Sequence, residues 1–321
     1  MKNLHLDLVR VTEAGAIAAA QYVGRGDKIA ADAAATEAMR NRLNKTDFAG
    51  KIIIGEGMKD EAPGLFEGEV VGQLGLLQES DPPADQDHEN DIIAPRHYDI
   101  AVDPIEGTTP TAKGGYEAMS VIALAGEGCL LSTDEFYMKK IAYGPKVARK
   151  VKINLTDDCG QILRMVALAL DKPTSKLTVC LLDRPRHDDL IDTLRSLECR
   201  IKFIQDCDVT ACIATCMPDT GIDLYLGIGG SPEGVISAAA MKCSGGVIQA
   251  QLVEKDGTPI SDKLYEVEDL AKGDCIFSAT GITDGKLFRG VRYTSHGPIT
   301  NSLTMRSASG TIRKIETWHG N

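Results

Sequence analysis

The segment DIAVDPIEGT, Asp99 to Thr108, sets two carboxylates, Asp103 and Glu106, around a proline and follows them with Gly107-Thr108-Thr109. A partly buried carboxylate is costly unless a cation or several donors satisfy it. Acids recur in comparable places: Glu56 follows KIII, Asp206 and Asp208 follow RIKFI, and Glu233 follows DLYLGIGGSP. Open α/β sheets bind ligands outside the carboxyl ends of their strands, so such acids can converge from separate segments. Oxygen donors without histidine or thiol partners suit hard cations, Mg²⁺ or Mn²⁺. Taken singly, each acid also fits an N-cap or a solvated loop, and Asp32 fits an exposed helix position. DPIEGT says more, because a proline-stiffened turn holds Asp103 and Glu106 close and Gly-Thr follows directly. Backbone amides of a Gly-Thr turn opening a helix make a phosphate cradle. A cation beside such a cradle means phosphoryl chemistry.

The elements that must position these groups are legible from periodicity. Apolar residues at Leu4, Leu8, Val11, Ala14 and Ala18 predict a helix over 4–24, with Gly15 an oddity inside it. Residues 29–44 predict a second, Ala-rich helix. KIIIGEG predicts a strand ending at Glu56, YDIAVD the next and SVIALAG another. Residues 78–97 carry six acids before Arg96 and read as a solvated loop. From residue 177 strands and helices alternate: LTVCLL, DDLIDTLRSL, RIKFI, DVTACIATCM, DLYLGI and PEGVISAAAMK. That rhythm predicts a parallel α/β second half and a domain boundary near 150–176, giving 1–150 and 151–321 with the site between them.

At 321 residues the chain is long enough for two cores. A formal net charge of -11 argues against a general nucleic-acid surface but leaves room for a local basic pocket. Nine cysteines include no C-x-x-C pair, and Cys207, Cys212 and Cys216 lack a histidine cluster for zinc. Reduced thiols, no signal-like N-terminus and no long apolar run predict a cytoplasmic protein without a membrane partner.

With these residues in view, the chain resembles a known family. DPIEGT resembles the signature of the lithium-sensitive, metal-dependent sugar and inositol phosphatases. GRGDKIAADAAA (24–35), IIIGEGMKDEAP (52–63), RPRHDDLI (184–191), QDCDVTACIATCMPD (205–219), GIGGSPEGVISAA (227–239) and IFSATGIT (276–283) narrow this to the class II fructose-1,6-bisphosphatases over nearly the whole chain. Where the wider superfamily has Trp-Asp, this chain has Pro232-Glu233, and its single tryptophan is Trp318. The acidic stretch 78–97 is longer than the family's connection. The resemblance implies a layered α/β/α/β/α sandwich and hydrolysis of fructose 1,6-bisphosphate to fructose 6-phosphate and phosphate, a gluconeogenic step. It implies two Mn²⁺ or Mg²⁺ per site, one held by Asp32 and Glu56, the other by Asp103, Glu106 and Glu233, with the Ile105 carbonyl as a further ligand. Substrate contacts fall to Glu106, Gly107, Thr108, Tyr137, Arg184, Pro185, Arg186, Asp206, Cys207, Asp208 and Gly230. Asp60 and Lys28 stand in or beside the active site, and a homo-oligomer, dimer or tetramer, is expected.

Those residue types fit their roles. Asp60, paired with the Thr108 hydroxyl, could take the proton of an attacking water. Arg184 and Arg186 offer planar, bidentate donors to a second phosphate, although a surface pair before an acidic helix fits equally on sequence. Asp206 and Asp208 can accept from sugar hydroxyls. Tyr137 reads equally as a core tyrosine, and His187 as a helix-start residue. Sedoheptulose 1,7-bisphosphate stays open as a substrate, whereas the arginine pair and Pro232-Glu233 count against inositol phosphates and nucleotide 3′-phosphates. LGIGGSPEG suggests a dinucleotide turn but has Pro232 where the third glycine belongs. A non-catalytic sugar-phosphate binder would need none of the metal carboxylates.

Overall fold

The computed structural model describes residues 4–56, 64–80 and 97–320. Asp60 and nearly all of the acidic loop expected at 78–97 lie outside these residues.

In chain order the helices are α1 (His5–Ala20), α2 (Lys28–Leu43), α3 (Gln73–Ser80), α4 (Thr108–Lys113), α5 (Pro145–Ala148), α6 (Cys159–Leu170), α7 (Asp188–Ser196), α8 (Asp208–Ala214), α9 (Ser231–Ser244) and α10 (Val267–Leu270). The strands are β1 (Ala49–Ile54), β2 (Val70–Val71), β3 (His97–Glu106), β4 (Met119–Gly126), β5 (Tyr137–Tyr143), β6 (Thr178–Leu182), β7 (Arg200–Ile204), β8 (Leu224–Gly230), β9 (Val247–Val253), β10 (Tyr265–Glu266), β11 (Cys275–Gly281), β12 (Arg292–Thr294), β13 (Gly297–Arg306) and β14 (Thr311–Trp318). They form one sheet in the order β12-β13-β11-β4-β3-β1-β2, with β14 also on β13, and a second in the order β10-β9-β5-β8-β6-β7.

Alternation along β4 shows how the layers stack. Ile122 and Leu124 join Leu8 and Val11 of α1 and Met39 and Leu43 of α2 in one core. Val121 and Ala123 face the other way, into a core shared with Val209 of α8, Val235 of α9 and Met138 of β5. On the far side of the second sheet, Ile141 and Val179 pack with Leu163 of α6 and Leu194 of α7. The period-2 strand pattern thus feeds two cores at once. The resulting layers are helix, sheet, helix, sheet, helix, the sandwich expected.

Gly15, the oddity in the first helix, has a packing reason. A Cβ there would come within 2.7 Å of Met39 Cγ and Ser120 Oγ, so α1 can lie against α2 and β4 only without one. The first helix stops at Ala20 rather than 24, and the second is capped by Asp27, whose side chain accepts from the Ala30 amide at 3.0 Å.

The parallel second half needs correction. Strands β7, β6, β8 and β9 do run one way, as the alternating rhythm predicts, but β5 is inserted between β8 and β9 and runs antiparallel to both, and β10 is antiparallel at the edge. Sheet membership also crosses residue 150 twice, because β5 joins the second sheet and β11, β13 and β14 return to the first. Both arrangements are non-local pairings, invisible to a local pattern.

Candidate active site

The segment expected to turn at Asp103 instead stays in strand. β3 runs on to Glu106, with Asp103 opposite Val121 and Glu106 opposite Met119, so three steps on β3 face two on β4. This is a β-bulge at Pro104, which has no amide for the ladder. Ser120 Oγ donates to the Pro104 carbonyl at 2.6 Å, and the Asp103 carboxylate takes the Ile105 amide at 2.9 Å. The bulge re-aims the side chains so that Asp103 and Glu106 meet Glu233 from the first turn of α9. One oxygen from each lies within 4.8 Å of the others.

Three carboxylates so close in a protein interior are under strong electrostatic pressure. Burial, then Glu56 and Glu233, push the Asp103 carboxyl well above its usual range, and Asp32 adds to this. Burial, then Asp103 and Glu233, do the same to Glu106, and burial with Asp208 raises Glu233. Glu106 keeps one satisfied oxygen, accepting from the Val209 amide at 3.2 Å. Glu233 Oε2 is buried with no hydrogen-bond partner. All-oxygen donors, mutual repulsion and an orphaned carboxylate oxygen together fit a hard divalent cation. Asp32 and Glu56 approach the same group electrostatically without lining the cleft.

Two glycines make room for these acids. A Cβ on Gly229 would collide with Asp208 Oδ2, and one on Gly230 with Glu233 Oε2. The glycine-rich run LGIGGSPEG is therefore explained by carboxylate packing at the end of β8, not by a dinucleotide.

After Glu106 the chain passes through Gly107 at φ 98°, a left-handed conformation suited to glycine, into α4. Thr108 Oγ1 donates to Asp32 at 3.3 Å and to the Ile105 carbonyl at 3.2 Å, tying α4 to α2. Lys28, at the first position of α2, reaches Thr109 Oγ1 at 2.8 Å. Gly107, Thr108 and Thr109 line a cleft of about 390 Å³ together with Asp103, Glu106 and Glu233.

The opposite wall comes from the second sheet. Arg184, Arg186, Tyr137, Asp206, Cys207, Asp208 and Gly230 all line the cleft, and Pro185 does not. Pro185 instead opens a single 3₁₀ turn that spaces the two arginines. Arg184 bonds Asp206 at 2.7 Å and also the Gln205 carbonyl, while Arg186 donates to the Ile228 carbonyl at 2.8 Å and lies 5.5 Å from the Tyr137 ring centre. These contacts fix both guanidinium groups in place before any ligand arrives. His187 is structural: buried, its Nδ1 lies 2.7 Å from the Leu182 carbonyl and its Nε2 accepts from the Ile228 amide at 2.8 Å.

Asp208, expected as a sugar acceptor, lines the cleft and is also held from within the protein. One of its oxygens, Oδ2, takes Lys140 Nζ at 2.6 Å and the Tyr225 hydroxyl at 3.1 Å. Lys140 is fully buried and donates also to the Gly230 carbonyl at 2.9 Å. Burial works against its ammonium, but Asp208 and Glu233 outweigh this and hold its pKa above the ordinary lysine value. Sequence reasoning missed Lys140 and Tyr225. A signal existed for the lysine: it alternates along YMKKIAY with Met138 and Ala142, both core residues.

A largely desolvated acidic trio with Glu106 buried at its centre, a glycine-threonine entry to a helix and a prepositioned arginine wall, set between the sheets of an α/β sandwich, define a phosphatase-type cleft suited to an anionic ester beside a cation. Comparison with known proteins makes this specific. Residues 2–319 match the family described as bacterial fructose-1,6-bisphosphatase, glpX-encoded. The chain is 40% identical over 340 residues to the D-fructose 1,6-bisphosphatase class 2/sedoheptulose 1,7-bisphosphatase of Synechococcus sp. (strain JA-2-3B'a(2-13)), covering 99% of this chain and 95% of the relative. It is also 40% identical over 338 residues to the protein of that name from Thermosynechococcus vestitus, covering 98% and 95%. The chain belongs to the bacterial fructose-1,6-bisphosphatase family, a family of sugar-phosphate hydrolases.

Proposed function

We propose that this enzyme, a class II fructose-1,6-bisphosphatase by family, hydrolyses the 1-phosphate of fructose 1,6-bisphosphate between the acidic trio and α4 while the arginine wall holds the 6-phosphate. The observation that carries this is the orphaned Glu233 oxygen within the Asp103–Glu106–Glu233 cluster, facing two fixed guanidinium groups across one cleft. Asp103, Glu106 and Glu233 would hold one divalent cation, with Asp32 and Glu56 serving a second; Mn²⁺ or Mg²⁺ suits the donor set. When bound, such ions neutralise phosphoryl charge and acidify water at the site.

The chain's own groups do the rest. Thr108, hydrogen-bonded to Asp32, places a hydroxyl at the mouth of α4, and Asp60 is the proposed base. Arg184 and Arg186 orient the uncleaved phosphate, the former keeping Asp206 and the latter stacked by Tyr137. Lys140 keeps Asp208 and the Gly230 carbonyl fixed behind Glu233. Cys207 shapes the floor, its backbone left-handed at φ 71° and its thiol donating to the Glu106 carbonyl.

Sedoheptulose 1,7-bisphosphate is a second proposed substrate, since the relatives carry both names and the cleft grips phosphate ends rather than a fixed carbon count. Lithium inhibition, a dimeric or tetrameric assembly and a cytoplasmic site of action belong to the same proposal. No helix among the described residues is long and apolar enough to cross a membrane.

The deciding experiment measures phosphate release from both bisphosphates with Mn²⁺, Mg²⁺ or chelator. Release should require a metal and fall to background with chelator. Full turnover in protein shown metal-free by elemental analysis would refute the reading.

A further inference from the structure

A second cavity lies away from the catalytic cleft. About 530 Å³ in volume, it lies where the β5–α5 turn, the end of α6 and the α8–β8 connection meet. Its walls carry Lys146, Arg149, Lys150 and Lys172, and its lining residues include one acid, Asp223. Asp223 is already engaged, accepting from Lys172 at 2.6 Å and from the Thr178 amide at 3.0 Å. Lys150 donates to the Ala169 carbonyl at 2.6 Å. Among the described residues no acid pairs with Lys146, Arg149 or Lys150, so the cavity presents about three uncompensated positive charges in a chain whose net charge is -11. Between these cations the floor is apolar: Val147, Leu170, Met217 and Ile222 line it.

From this charge and shape we propose that the cavity is a second ligand site, taking a phosphorylated small molecule with an apolar or ring-bearing body. Several cations around a concavity focus an anion field, and charge-assisted bonds from guanidinium and ammonium groups suit phosphate oxygens. An apolar floor gives no partner to a bare inorganic ion but buries the body of a phosphate ester. The volume exceeds that of the catalytic cleft, so room is not limiting.

Position distinguishes this site from the cleft. Tyr137, at the start of β5, pairs with Gly230 in the cleft, and Tyr143, at its end, pairs with Leu224 beside the cavity. Seven residues of strand separate the two ends by about 20 Å at roughly 3.3 Å per residue. Helix α8 makes a second link, with Asp208 at its start and Thr215 to Met217 just beyond its end. A bound ligand would therefore touch the far ends of two elements whose near ends carry catalytic-cleft residues.

The test uses phenylphosphonate, which a phosphatase cannot hydrolyse, and methylphosphonate, which lacks the apolar body. Binding to the full chain is measured by titration calorimetry in wild type, in Lys146→Glu/Arg149→Glu and in Arg186→Ala. Both cavity residues are exposed, so the double variant should melt at the wild-type temperature. Phenylphosphonate should show a saturable component weakened at least tenfold in the double variant, unchanged in Arg186→Ala and several-fold weaker for methylphosphonate. No saturable component, or one lost only in Arg186→Ala, would overturn the proposal, as would equal binding of the two phosphonates.

Discussion

Lys140→Met is the most informative substitution in the molecule. It removes a fully buried ammonium that holds Asp208 at 2.6 Å and the Gly230 carbonyl at 2.9 Å, with little change in side-chain volume. The Tyr225 hydroxyl would still donate to Asp208 Oδ2, but the buried carboxylate would be left without its counter-ion. Breaking one partner of a buried pair costs about 3–5 kcal/mol, whereas replacing both is often neutral. Lys140→Met should therefore lose stability on that scale, and Lys140→Met/Asp208→Asn should recover most of it. Equilibrium urea unfolding followed by circular dichroism reads both, in chelator so that bound metal does not mask the change. The lysine also lowers the Glu233 pKa, against burial and Asp208, which raise it. Removing it raises that pKa further, and a metal requires the ionised carboxylate. Metal affinity should consequently begin to fall at a higher pH in Lys140→Met than in wild type as the solution is acidified. A single variant within 1 kcal/mol of wild type (the order expected of a neutral hydrogen bond), a double no better than the single, or an unmoved pH midpoint would each refute the argument.

Asp103→Asn and Glu233→Gln should each remove most turnover and weaken metal binding, because each deletes a charged ligand at nearly constant size; wild-type rates at subsaturating metal would exclude that residue as a ligand. Gly230→Ala should do the same by driving a methyl into the Glu233 carboxylate, with metal titration as the readout. Arg184→Ala or Arg186→Ala should cost roughly ten- to a hundredfold in kcat/KM on a bisphosphate, from bonds of about 1.5–3 kcal/mol, and little on a monophosphate; equal losses on both would assign the arginines to the reacting phosphate or the fold. Burial holds the His187 pKa below its ordinary value, opposed by its bond to the Leu182 carbonyl. The unfolded chain therefore binds the extra proton first, so this contribution to stability is whole above the unfolded pKa near 6.5 and is lost as pH falls through it, at up to about 1.4 kcal/mol per pH unit. Urea midpoints at several pH values should show that slope in wild type and a flatter one in His187→Asn.

Much of the site was legible because its chemistry is written in local segments. Strand-end acids, the Gly107-Thr108 entry to α4 and the Arg184/Arg186 pair each announce themselves by residue type and spacing, and the repeating rhythm after residue 177 correctly marked β6, β7, β8 and their helices. What the chain order could not convey was which strand would lie beside which. The insertion of β5 between β8 and β9 depends on pairing across almost a hundred residues, and it alone brings Lys140 against Asp208 and Glu233. Likewise Pro104 reads as a turn former in sequence, yet with β4 alongside, Ser120 and the Asp103 carboxylate satisfy the backbone and the strand continues through a bulge. Residue types determine which groups can bind a cation or a phosphate. Only the packing of two sheets decides which carboxylates are desolvated together, and desolvation is what turns three ordinary acids into a site that calls for a metal.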